Sequence, residues 1–96
     1  MSSESSSAPQ DHQGNRLDLV LFKYDSCPYC RFVMQAIEQL HIPVTYKDTR
    51  RDPQAAAELL RVGGKSQVPC LLINGEPLYE SHDIVQFLQN EVRLSH

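Results

Sequence analysis

Apolar residues in this chain fall into short runs whose spacing alternates between a strand's period and a helix's. Leu19, Val20, Leu21 and Phe22 stand together within Leu17 to Tyr24, an unbroken run that suits a strand covered on both faces. Asp25-Ser26 ends it. From Cys27 to His41 the pattern changes: Phe32, Val33, Ala36, Ile37 and Leu40 recur at helical spacing and form one stripe. Pro28 suits a first helical position, where its missing N–H costs nothing, and Pro43 blocks continuation. Val44 to Lys47 reads as a short strand with Val44 and Tyr46 on one face. Strand, helix and strand in that order predict a right-handed parallel unit. Asp52-Pro53 caps and opens a second helix through Leu59 and Leu60, which Gly63-Gly64 stops. Val68 to Ile73 and Glu76 to Tyr79 flank Asn74-Gly75, a hairpin signal because both turn positions need positive φ. Pro77 cannot donate to a ladder, so the last strand is expected at an edge. Ser81 is expected to cap a third helix that buries Ile84, Val85, Phe87, Leu88 and Val92. The predicted order is βαβαββα.

Composition sets the scale. At 96 residues and 41% hydrophobic, the chain supports one domain with one modest core. We place that domain at 17–96. Residues 1–16 are rich in Ser, Gln and Pro, hold almost no large apolar group, and are expected to be a disordered tail. A net charge of −3 argues against nucleic acid as a partner, and the absence of an apolar run of roughly 18 residues argues against a membrane span. The first 16 residues carry neither a signal-type apolar region nor an Arg-rich pattern, so a cytoplasmic location is expected.

Three cysteines are too few and too odd for a disulfide-stapled scaffold. Cys27 and Cys30 lie three apart at a helix start, on one helical face, which brings their sulfurs within bonding reach. The unpartnered N–H groups of the first turn favour a thiolate at Cys27, the species that attacks disulfides. Cys30, deeper in the helix, would resolve the mixed disulfide. Zinc needs four ligands, and Cys70, His12, His41, His82 and His96 do not pair at the required spacing, so no metal site is expected. Cys70 reads as a small apolar core residue. Arg50-Arg51-Asp52 reads as a solvated loop.

With Cys27-Pro28-Tyr29-Cys30 after a buried strand and Val68-Pro69 before another, residues 18 to 92 resemble the glutaredoxin family of the dithiol type. The resemblance implies an α/β thioredoxin fold, a four-stranded mixed sheet of order 2-1-3-4 flanked by three helices. It implies a monomeric enzyme that reduces protein–glutathione mixed disulfides and protein disulfides, with glutathione as electron-donating co-substrate and no tightly bound cofactor. Its partners are then glutathione and glutathionylated or disulfide-containing proteins. Carried over, Cys27 is the nucleophile and Cys30 the resolving thiol, joined in a redox disulfide when oxidised. Tyr29 lines the glutathione groove, Pro69 is a cis-proline, and the backbone of Val68 pairs with the tripeptide like an added strand.

Two departures from the small glutaredoxins matter. Glu80-Ser81 replaces their usual turn and is similar to the Glu-Ser of glutathione transferase N-terminal domains, where the Ser and its helix N-terminus hold the γ-glutamyl carboxylate. Transferases add a helical C-terminal domain, and this chain ends at His96, so an oxidoreductase is expected rather than a transferase. The family's Lys three residues before the nucleophile is Tyr24 here, with Lys23 one step earlier and on the opposite face of the strand. Lys65 is therefore the expected partner of the glycine carboxylate. Two alternatives stay open: a dimer holding an iron–sulfur cluster through Cys27 and glutathione, and a glutaredoxin-like electron donor reduced by thioredoxin reductase.

Overall fold

A computed structural model describes residues 9–94. Its elements in chain order are β1 (Pro9–Gln10), β2 (Leu19–Lys23), α1 (Pro28–Leu40), β3 (Thr45–Asp48), α2 (Pro53–Gly63), β4 (Cys70–Ile73), β5 (Glu76–Leu78), α3 (Ser81–Asn90) and β6 (Arg93–Leu94). Four strands form one mixed sheet of order β3-β2-β4-β5. β2 runs parallel to β3 and antiparallel to β4, and β4 runs antiparallel to β5. This is the thioredoxin-type architecture that the resemblance implied.

The unbroken apolar run of β2 has a direct cause. Successive side chains of a strand point to opposite faces, and both faces of this strand are covered. Leu19 and Leu21 pack with Val33 and Ile37 of α1 and with Ile84, Val85 and Leu88 of α3. Val20 and Phe22 pack on the other side with Ala55 and Leu59 of α2, Cys70 and Leu72. Phe22 lies opposite Cys70, and Leu72 opposite Pro77. Pro77 is on the edge strand, where no further ladder needs its missing donor.

Helix ends follow local chemistry. Asp52 caps α2 by accepting from the Gln54 N–H at 3.0 Å, Pro53 opens it, and Gly64 ends it in the left-handed region. His41 ends α1 at φ 57°, its N–H donating to carbonyls of the last turn. Asn74 and Gly75, at φ 52° and 87°, make the two-residue hairpin turn between β4 and β5. No helix among the described residues is long and apolar enough to cross a membrane.

The termini differ from expectation. Residues 1–8 of the expected tail lie outside the described residues. Over 9–16 the tail reading is corrected, because Pro9–Gln10 pairs antiparallel with Arg93–Leu94 in a second, two-stranded sheet. Pro9 is buried, and its carbonyl accepts from the Leu17 N–H at 2.9 Å. Asp11 folds the intervening turn by accepting the N–H groups of Gln13 and Asn15, both at 2.9 Å, which holds its own carboxyl below the usual range. His12 Nε2 donates to the Asn90 carbonyl at 2.6 Å. The driving contacts come from residues some eighty positions away, so a local window of Ser, Gln and Pro cannot reveal them.

Candidate active site

The Cys27 run sits where β2 hands over to α1. Cys27 is the N-cap, with extended backbone, and its Sγ accepts the Cys30 N–H at 3.3 Å. That bond directs one of the orphan donors of the first helical turn at the sulfur. Cys27 keeps 6% of its surface exposed and Cys30 keeps none. Burial first, then the hydrogen bond with Cys27, pushes the Cys30 thiol up to about 12. Cys30 is thus a neutral thiol at any physiological pH. Burial likewise raises Cys70, which lies with Phe22, Ala55, Leu59 and Leu72 in the cluster on the α2 side of the sheet.

These environments predict selective alkylation. Iodoacetamide at pH 7.5 should label Cys27 well ahead of Cys30 and Cys70 in the native chain, as read by peptide mass mapping. Equal labelling of Cys30 would contradict the burial that raises it. The same shift fixes a sign for stability. The Cys30 pKa is about 8.5 unfolded and about 12 folded, so the folded state holds this proton more firmly. The resulting stability is complete below the unfolded value and is lost as pH rises through the folded one. Between those limits the wild type should lose stability more steeply than Cys30→Ala, a difference urea titration at pH 8 and pH 10.5 would read.

A cleft of about 420 Å³ opens beside this sequence and is lined by Tyr29, Gln67, Val68, Pro69, Glu80 and Ser81. The sheet topology brings its three parts together: the first turn of α1, the loop before β4, and the start of α3. Tyr29 is 66% exposed, and the Val68-Pro69 peptide bond is cis. Five residues expected from the sequence therefore share one cleft with the helix that carries Cys27 and Cys30. Lys65 is placed elsewhere: its Nζ lies 4.3 Å from the centroid of the Tyr79 ring, and it does not line the cleft. Lys23 is occupied as well, 2.7 Å from Asp25 and 3.7 Å from Asp48, pairings that hold its ammonium above the usual range.

The α3 terminus corrects one expectation. Ser81 is the first helical residue and not the cap; Glu80 takes the cap position at φ 73°, ψ 111°, with no side-chain cap hydrogen bond. The first α3 amide with an intrahelical acceptor is Ile84, which donates to the Glu80 carbonyl at 3.0 Å, so the N–H groups of Ser81, His82 and Asp83 have no acceptor within the helix. A bare helix N-terminus of this kind suits an incoming carboxylate. Gln67 was missed by sequence reading. Its Nε2 donates to Glu80 Oε2 at 3.5 Å across the cleft. The available signal was its place next to Val68, whose backbone was expected to meet a peptide-like ligand.

Positive φ at a non-glycine residue is strained and persists where the surroundings impose it. Glu80→Gly removes that strain together with the cleft's carboxylate. It should raise stability by about 1 kcal/mol. Thermal unfolding would check this, and a variant that loses stability would refute the strain.

The family model described as the glutathione S-transferase, N-terminal domain, matches residues 21–95. The chain belongs to this family. Among solved structures, this transferase-family domain is similar to glutathione transferase Omega 3C from Trametes versicolor, at 30% identity and TM-score 0.67 over 76% of this chain and 33% of that one. It is also similar to a glutathione transferase homolog from Drosophila mojavensis with bound glutathione, at 26% identity and TM-score 0.63 over 75% and 34% of the two chains. The domain thus spans about a third of the length of the transferases it matches. Its likeness to the holo form of glutaredoxin C1 from Populus tremula x tremuloides is one of fold, at 22% identity and TM-score 0.60 over 74% of this chain and 73% of that one. Comparison with curated proteins gives no match. The family that entered the sequence reading only through Glu80-Ser81 is therefore the one that matches, and the glutaredoxin likeness stands at the level of fold.

Proposed function

We propose that this domain is a glutathione-dependent thiol–disulfide oxidoreductase of the glutaredoxin type, acting on protein–glutathione mixed disulfides. One observation carries the reading: a cysteine at the N-cap of α1, its sulfur receiving a backbone N–H at 3.3 Å, beside a helix whose Tyr29 lines a cleft with Val68, Pro69, Glu80 and Ser81. In the first step the Cys27 thiolate attacks the glutathione sulfur. The Cys27–glutathione disulfide forms, the bond to the protein sulfur breaks, and the protein thiolate leaves and takes up a proton. A second glutathione thiolate then attacks that disulfide, releasing oxidised glutathione and restoring the Cys27 thiolate. Glutathione supplies both electrons. Cys30 is wholly buried, which favours resolution by glutathione over resolution by Cys30.

In this reading Glu80, Ser81 and the free amides of α3 hold the γ-glutamyl end of the tripeptide, and Val68 pairs with its backbone. The assay that tests it couples glutathione, glutathione reductase and NADPH to a glutathionylated peptide. Turnover by catalytic amounts of the domain supports it, and its absence refutes it. The family match and Glu80-Ser81 favour a second reading, conjugation of glutathione to a small electrophile. Measured conjugation to a chloronitrobenzene, with no disulfide reduction, would select that reading.

A further inference from the structure

Cys27 is flanked along the chain by two clefts that share no residue. The one lined by Tyr29 is described above. The other, about 210 Å³, is lined by Tyr24, Asp25, Ser26, Asp48, Arg50 and Arg51. Its charges are unevenly matched. Asp25 and Asp48 are within 4 Å of Lys23 and of Arg51, at 2.7, 3.7, 3.8 and 3.9 Å. Arg50 has no carboxylate partner among the described residues. Its guanidinium lies 3.8 Å from the centroid of the Tyr24 ring and donates to Ser26 Oγ at 3.2 Å. The loop that carries it is fixed by the Asp48 carboxylate, which accepts the N–H groups of Arg50 and Arg51 at 2.9 and 3.0 Å. Stacking and anchoring hold the fork in place, so little ordering cost remains for an incoming acceptor, and a guanidinium pairs best with a carboxylate.

We propose that Arg50, held on Tyr24 and Ser26, docks a carboxylate of the target polypeptide, so that the domain prefers cysteines with acidic neighbours. The inference rests on the oxidoreductase reading for its use. A mixed disulfide bond is only about 2 Å long, so a target attacked at Cys27 lies within a side chain's reach of the Ser26 side of that residue. With glutathione in the Tyr29 cleft, the Arg50 cleft lies on the other side of Cys27 along the chain, with Ser26 as its lining residue next to the nucleophile. The loop read from sequence as merely solvated thus supplies specificity.

The experiment uses two glutathionylated peptides that differ only in Asp or Lys on either side of the cysteine. Wild type should favour the Asp peptide by about tenfold in kcat/KM, and the preference should shrink in salt. Arg50→Glu should reverse the ratio. An equal ratio in wild type and Arg50→Glu overturns the proposal. A second glutathione also carries carboxylates, so a raised KM for glutathione with an unchanged peptide ratio assigns Arg50 to the co-substrate and overturns docking of the target. Binding without chemistry is read separately, by NMR shifts of the Tyr24 ring in wild type titrated with the same peptides carrying Ser for Cys. Shifts for the Asp peptide without turnover sustain the docking point and refute the redox reading. No preference between the two Ser peptides overturns the docking point even where turnover is seen.

Discussion

Replacing Cys27 by serine is expected to abolish reduction of a glutathione mixed disulfide, with a fall of at least about a thousandfold in kcat/KM. The cause is ionisation. A serine hydroxyl at the N-cap still accepts the Cys30 N–H, so the helix start survives, but it supplies no thiolate at neutral pH. Cys30→Ser should behave differently and retain activity within about threefold, because glutathione itself can attack the Cys27 intermediate. The contrast follows from burial as much as from position: Cys27 keeps some exposure, while Cys30 has none and a thiol pKa raised to about 12. The measurement is the NADPH-coupled assay on wild type and both variants. Equal loss in both would mean that the intermediate is resolved by Cys30 alone, the behaviour of the glutaredoxin-like donors reduced by thioredoxin reductase. Intact activity in Cys27→Ser would remove the thiol mechanism altogether.

The second large effect concerns the fold. Phe22→Ala should cost about 3–5 kcal/mol, a large share of the roughly 5–15 kcal/mol that holds a small domain together. Phe22 is wholly buried between the sheet and α2, beside Ala55, Leu59, Cys70 and Leu72. Removing its ring leaves a cavity that a central strand, fixed by neighbours on both sides, cannot close. Its partner across the ladder is Cys70, the residue after Pro69, so loosening here reaches the wall of the cleft. Leu60→Ala is the control. Leu60 is 55% exposed on the same helix layer, and its loss should change stability by no more than about 0.5 kcal/mol. Guanidinium unfolding followed by far-UV circular dichroism compares the two, and similar midpoints for both variants would overturn this account of the core.

Local signals in the amino-acid order were enough for the main framework. Pro28, Asp52-Pro53, Gly64 and Asn74-Gly75 act within a few residues of themselves, so their caps and turns could be read directly. The continuous apolar run at Leu19–Phe22 announced a strand covered on both faces, because no other strand environment tolerates four adjacent apolar side chains. The same locality explains why Cys27 could be singled out: its spacing from Cys30 and its place before Pro28 are themselves the helix-start geometry. Tyr29, Val68, Pro69, Glu80 and Ser81 needed the family resemblance, since nothing local says that three separate segments meet.

Tertiary packing alone decided the rest. It set Pro9–Gln10 against Arg93–Leu94, moved the α3 cap from Ser81 to Glu80, placed Lys65 over Tyr79 instead of in the cleft, and brought Gln67 to Glu80. It also left the Arg50 guanidinium beside Ser26 without a carboxylate partner among the described residues. Each of these outcomes depends on contacts between residues far apart in the chain, or on which nearby partner wins a charge. A cap or a turn is chosen by its own neighbours, whereas a cleft exists only after the sheet has fixed which loops share an end.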